Sequence, residues 1–148
     1  GALVAVALVA PRCVASRAVW DPDVLRELVA CVAEPATVGL SSVAGSLHPS
    51  PRTVGGGVHV RFCGDRTVRA ALAPGQLTPL AISAAQPLEP GIVVELPGPG
   101  VLSFDGERDL VLHEADRARC TIEVDGPWLI DVDRAVGLAA TRGSFDGR

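Results

Sequence analysis

The chain has 148 residues, 48% of them hydrophobic and 20% charged, which is the size and make-up of one globular domain with a real core and excludes a disordered segment. A net charge of −4 and 3% aromatic residues supply neither the basic field nor the stacking platforms of a nucleic-acid binder, so neither nucleic acid nor an anionic membrane is expected as a partner. All thirteen basic residues are arginine, which rules out a Schiff-base lysine and a Walker-type lysine on phosphates.

The opening GALVAVALVA lacks the basic flank of a signal peptide and is too short to span a bilayer. It is expected to be a buried strand, closed by the turn-prone Pro11-Arg12. CVASRAVW (13–20) offers a second extended stretch. DPDVLRELVACVAEP then carries the clearest helical signal in the chain. Asp21 suits an N-cap, Pro22 the first helical position, and Asp23 the positive end of the dipole. Val24, Leu25, Leu28, Val29 and Val32 recur at helical spacing, so a helix is predicted over 22–33, ended by Pro35.

From Thr37 the pattern changes to short apolar runs divided by most of the twelve prolines and sixteen glycines. GVHVRF, TVRAALA, LTPLAIS, GIVVEL, CTIEV and LIDVDRAV read as strands, the last placing Asp131 and Asp133 on one solvated face. GVLSFDGERDLVL (100–112) reads as a hairpin turning at Asp105-Gly106, since a type I′ turn needs positive φ at both central positions. The expected fold is therefore mainly β, an antiparallel β-sandwich-like single domain over 1–148 with one packed helix near 22–33.

Several catalytic patterns fail on spacing. GLSSVAG lacks the G-x-S-x-G of a nucleophile elbow, because Val43 and Ala44 stand two residues beyond Ser41 and Ser42. GGG (55–57) is followed by GVHV-type sequence without lysine, so it reads as a flexible loop and not a phosphate cradle. Cys13, Cys31, Cys63 and Cys120 form no C-x-x-C pair, and His48, His59 and His113 fall in three segments, so no metal site is expected. The cysteines read as small buried hydrophobes in a reducing, cytoplasmic setting.

Three stretches together resemble a known family. TVGLSSVAGSLHP (37–49) is similar to the Ser/Thr-rich run ending in His-Pro that follows the nucleotide-binding domain of NAD kinases and helps form their dinucleotide site. VLSFDGERDLVL (101–112) and ADRARCTIEVDGPWLIDVDRAVGLAA (115–140) resemble the closing hairpins of that superfamily, whose Asp-Gly turn approaches the substrate cleft. With WDPDVLRELV (20–29) ahead of the serine-rich run, the wording is most similar to the NAD kinase-like branch associated with acetoin catabolism.

The resemblance implies the C-terminal β-domain of a two-domain, ATP-dependent kinase-like protein. Its missing N-terminal α/β domain would supply the ATP and Mg²⁺ site, and the acceptor would be NAD or a related small molecule. It further implies Ser41, Ser42, Gly45 and Asp105 as substrate-binding residues. Glu107 becomes a catalytic candidate, because lipid-kinase relatives place a Glu of a comparable Asp-Gly-Glu turn near the reacting groups. The superfamily's Gly-Gly-Asp-Gly-Thr loop, which positions phosphate and acceptor, is absent here, so the chain alone is expected to be inactive and to hold no cofactor. Self-association is a further expectation. Two alternatives stand beside this reading: a non-catalytic β-sandwich that binds a ligand or protein, and the C-terminal domain of a lipid kinase-like enzyme.

Overall fold

The computed structural model describes residues 4–10 and 21–147. The extended stretch expected at 13–20, the Pro11-Arg12 turn and Cys13 lie outside them. The order of elements is β1 (Ala5–Val9), a 3-10 turn (Pro22–Val24), β2 (Leu25–Ala30), α1 (Leu40–Leu47), β3 (Gly57–Ala73) and β4 (Gln76–Leu88). There follow β5 (Val94–Pro97), β6 (Gly100–Phe104), β7 (Arg108–Leu112), β8 (Arg117–Cys120) and α2 (Val132–Thr141). Six strands form an antiparallel sheet in the order β4-β3-β2-β1-β6-β7, and β5 pairs with β8 in a second, smaller sheet. The mainly β, sandwich-like architecture expected from the sequence is what the chain adopts.

Strand periodicity sorts β1 onto two cores. Ala5, Ala7 and Val9 pack on one face with Leu28, Ala30, Val58 and Val60, beneath Val43 and Ala44 of α1. The same core takes in Ala70, Leu72, Leu80 and Ile82 from the far half of the long β3–β4 hairpin. That arm leaves the plane where Cys63, Gly64 and Asp65 drop out of the ladder between Phe62 and Arg66, both opposite Ile82. Val6, Leu8, Val29 and Leu102 point to the other face, where the small sheet covers them with Val94, Leu96, Ala118 and Cys120.

The helix predicted over 22–33 is not formed. Its start signal is real: Asp21 Oδ1 accepts the Asp23 N–H at 2.9 Å and Pro22 opens a turn. The turn lasts three residues and gives way to β2. The misleading i, i+3 spacing has a structural cause. Val9 pairs with Leu25 while Leu8 pairs with Glu27, leaving Arg26 as an extra residue in the ladder. That bulge slips the phase, so Leu25 and Leu28 reach the same core as if they were one helical turn apart. Val29 fills the opposite core, because β2 lies inside the sheet with both faces covered.

Two helices form elsewhere, one of them in a segment read as extended. LSSVAGSL forms α1, with Ser42, Val43, Ala44 and Gly45 all buried, so it shows no polar stripe to betray it. Within LIDVDRAV, Asp131 is an N-cap whose Oδ1 accepts the Arg134 N–H at 2.9 Å, and Asp133 sits in the first turn of α2. The alternation of acids and aliphatics there was a cap followed by a helix. Among the described residues no helix is long and apolar enough to cross a membrane.

Candidate functional site

The β6–β7 hairpin turns where its Asp-Gly requires. Asp105 and Gly106 have φ of 54° and 73°, and the Glu107 N–H donates to the Phe104 carbonyl at 3.0 Å. Positive φ at both central residues with this bond defines the type I′ turn. Asp105 does more than bend the chain. Its Oδ1 accepts the N–H groups of Val4 and Ala5, both at 2.9 Å, and its own N–H donates to the Ala5 carbonyl at 3.0 Å. The carboxylate thus pins the start of β1 to the hairpin. Glu107 stands exposed at the turn.

The serine-rich helix is anchored from the opposite side of the sheet. Ser41 donates its hydroxyl to the Val32 carbonyl at 2.9 Å and accepts the Glu34 N–H at 3.3 Å. Ser42, buried, donates to the Pro35 carbonyl at 3.5 Å. Gly45 lies so close to this segment that a Cβ would stand 2.5 Å from the Glu34 carbonyl carbon and the Pro35 nitrogen. In turn the Cys31 and Val32 N–H groups donate to the Val4 carbonyl at 2.9 and 3.4 Å. Ser41 and Asp105 are therefore linked through two adjacent stretches of backbone, 31–32 and 4–5. Helix and turn meet at one end of the large sheet.

A cavity of about 690 Å³ opens at that end, within the range of small-molecule sites. Val4, Val6, Val29 and Phe104 form its sheet wall, and Cys120, Ile122 and Val124 its opposite wall. Gly55 and Gly56 of the glycine run edge it, together with Arg52, Arg119 and Glu123. A second hollow of about 830 Å³ shares Arg52, Val124, Gly126, Pro127 and Leu129 with it and runs on to Trp128 and Asp131. Of the sequence candidates none lines the first cavity: Asp105 adjoins it through Val4, Ala5 and Phe104, and Ser41 through Val32. Ser42, Gly45 and Glu107 stand away from its lining.

The residues that sequence reasoning missed are Arg52, Arg119, Cys31 and Cys120. The available signal was PSPRTVGGG, an arginine held between prolines and a glycine run that the fold places at a cavity mouth. Burial pushes the thiol pKa of both Cys31 and Cys120 up. For Cys31 the backbone hydrogen bond and the Arg52 charge pull the other way, and the Asp105 charge adds to the rise. Both thiols therefore stay protonated at neutral pH and are poor nucleophiles. Iodoacetamide at pH 7, followed by peptide mapping, should label the exposed Cys63 well before Cys31 or Cys120, whose labelling should accelerate as pH rises. Faster labelling of Cys31 or Cys120 would contradict their half-buried placement.

The three histidines have different surroundings: His59 Nε2 meets Glu27 Oε2 at 2.6 Å, His48 Nε2 meets the Ala85 carbonyl at 3.3 Å, and His113 is exposed. Among the described residues no three His, Cys, Asp or Glu side chains gather where a metal ion could sit.

Comparison with known proteins shows the family of this chain. The acetoin catabolism protein X C-terminal domain matches residues 1–125. The chain belongs to that family. It is 31% identical over 124 residues to acetoin catabolism protein X of Cupriavidus necator (strain ATCC 17699), a match covering 80% of this chain and 34% of that protein. The chain thus spans about a third of the length of its curated relative. No solved structure matches it. The acetoin catabolism protein X C-terminal domain match takes in both sheets and most of the cavity lining, and it ends just before the segment that leads into α2.

Proposed function

We propose that this domain is the acceptor-binding part of an ATP-dependent, NAD kinase-like phosphotransferase of the acetoin catabolism protein X family. In this reading the cavity between the two sheets receives the acceptor, NAD or a related small molecule, in a cytoplasmic protein. The observation that carries it is that residues 119–124, from the stretch resembling the closing hairpins of NAD kinases, line one cavity, and that Asp105 of the Asp-Gly hairpin bonds Val4 and Ala5 in its wall. Asp105 holds the start of β1 at the cavity wall, and Ser41 ties α1, packed on the other core, to the Val32 carbonyl. Ser42 and Gly45 seat the helix that carries Ser41, and Glu107 stands at the hairpin tip, free to meet a bound acceptor from outside.

ATP and Mg²⁺ do not fit the residues described here: there is no lysine in the chain and no cluster of carboxylates to hold a metal ion. They belong, in this reading, to an N-terminal α/β domain of the full-length protein. Phosphoryl transfer consists almost wholly of holding the γ-phosphate and metal in line with the acceptor, so a domain that only binds acceptor is silent alone. Incubation of this chain with ATP, Mg²⁺ and NAD should give NADP no faster than a protein-free control, while the longer protein should turn over. Turnover by the isolated chain, or an inactive longer protein that also fails to bind NAD, would refute the assignment.

One observation favours the protein-binding alternative. Trp128, Leu129, Ile130 and Val132 stand exposed in and before α2, which buries none of its residues. If that alternative holds, the longer protein is inactive on every acceptor and the cavity takes no small molecule.

A further inference from the structure

Two arginines, Arg52 and Arg119, line the cavity against one acidic side chain, Glu123, while Glu34, Asp125, Asp131 and Asp133 line the adjoining hollow, which Arg52 borders as well. Glu123 is engaged locally, its Oε1 accepting the Thr121 hydroxyl at 3.0 Å. Among the described residues no carboxylate pairs with Arg52 or Arg119. Val29, Phe104 and Ile122 supply apolar wall, beside Cys31, Cys120 and Thr121. A guanidinium beside such walls offers a planar fork of donors matched to carboxylate or phosphate.

We propose that this cavity selects a small organic anion, its carboxylate or phosphate held by Arg52 and Arg119 and its apolar body packed against Val29, Phe104 and Ile122. The inference rests on the reading of the cavity as the acceptor site and adds what that site chooses: negative charge on a compact apolar frame. Neutral molecules of the same shape gain only the apolar contacts.

Titration calorimetry of the whole chain with hexanoate, hexyl phosphate and 1-hexanol separates these contributions. At least one anion should bind about tenfold or more tighter than the alcohol, and that advantage should shrink as NaCl rises from about 0.05 to about 0.5 M. Tighter binding of hexanoate assigns a carboxylate ligand, and tighter binding of hexyl phosphate a phosphate. Arg52→Gln and Arg119→Gln should each weaken the anion about tenfold and leave 1-hexanol unchanged, with Arg69→Gln on the β3 arm as the silent control. Both lining arginines are exposed, so unchanged thermal melts should confirm folded variants.

Equal binding of alcohol and anions, anion binding indifferent to both substitutions, or no saturable anion binding overturns the proposal. NAD is titrated separately. If NAD fails while the anions bind through the arginines, NAD is lost as acceptor and the anion site stands. If NAD binds while the anions and both arginine variants show nothing, the anion site is lost and the acceptor reading stands.

Discussion

Asp105→Ala is expected to lower the melting temperature by roughly 5–10 °C, while Asp105→Asn lowers it by about half as much or less. The carboxylate accepts two backbone N–H groups, from Val4 and Ala5, at the start of a strand that lies inside the sheet. Hydrogen bonds to a charged group contribute about 1.5–3 kcal/mol each at most, less for the solvent-facing one of this pair. Alanine also has to hold the left-handed φ of 54°, at a further cost of about 1 kcal/mol. Asparagine keeps a side-chain oxygen in the same place and tolerates that backbone region. Thermal unfolding followed by circular dichroism reads the difference. An alanine variant as stable as the asparagine variant would show that the side chain does not tie β1 to the hairpin.

Gly45→Ala should destabilise the domain by about 2 kcal/mol net, although alanine is the better helix former. In an exposed helix the exchange would gain about 1 kcal/mol. Here the new Cβ would stand 2.5 Å from backbone atoms of Glu34 and Pro35, which cannot rotate away as a side-chain tip would. Relief requires α1 to lift, loosening the Ser41 and Ser42 bonds to the same segment. Gly126→Ala, where nothing lies within 4 Å of the added carbon, is the neutral comparison. Denaturant midpoints for the two variants decide the matter. A Gly45→Ala variant as stable as the parent would leave the close approach of helix and 34–35 segment without energetic weight.

What was legible in the sequence follows from how far each signal is local. The Asp-Gly turn is set by two residues whose backbone preferences nothing distant overrides, and it forms as read. β1 and the long β3–β4 hairpin announce themselves by runs of β-branched and small apolar residues between turn residues, and they too form. β2 was misread because its apolar spacing depends on a bulge at Arg26, which only the pairing with β1 creates. α1 was missed because a helix buried between a sheet and a backbone segment needs no polar stripe, and Ser41 and Ser42 are satisfied by carbonyls nine and seven residues back in the chain.

The site divides along the same line. Ser41 and Asp105 came from motifs, and in the structure they bond backbone groups of Val32 and of Val4 and Ala5 without lining the cavity. Arg52 and Arg119 belong to segments far apart in sequence, and only the packing of the small sheet on the large one gathers them at one cavity. No local pattern could have paired them.

Amide chemical-shift mapping of the whole chain during titration with NAD puts the cavity to the most direct test. The account predicts saturable shifts concentrated at Val29, Cys31, Gly55, Gly56, Phe104 and Ile122, with the far β3–β4 arm around Arg69 and Leu77 unmoved. Saturable shifts centred on that arm or on α2, with the cavity amides silent, would contradict it.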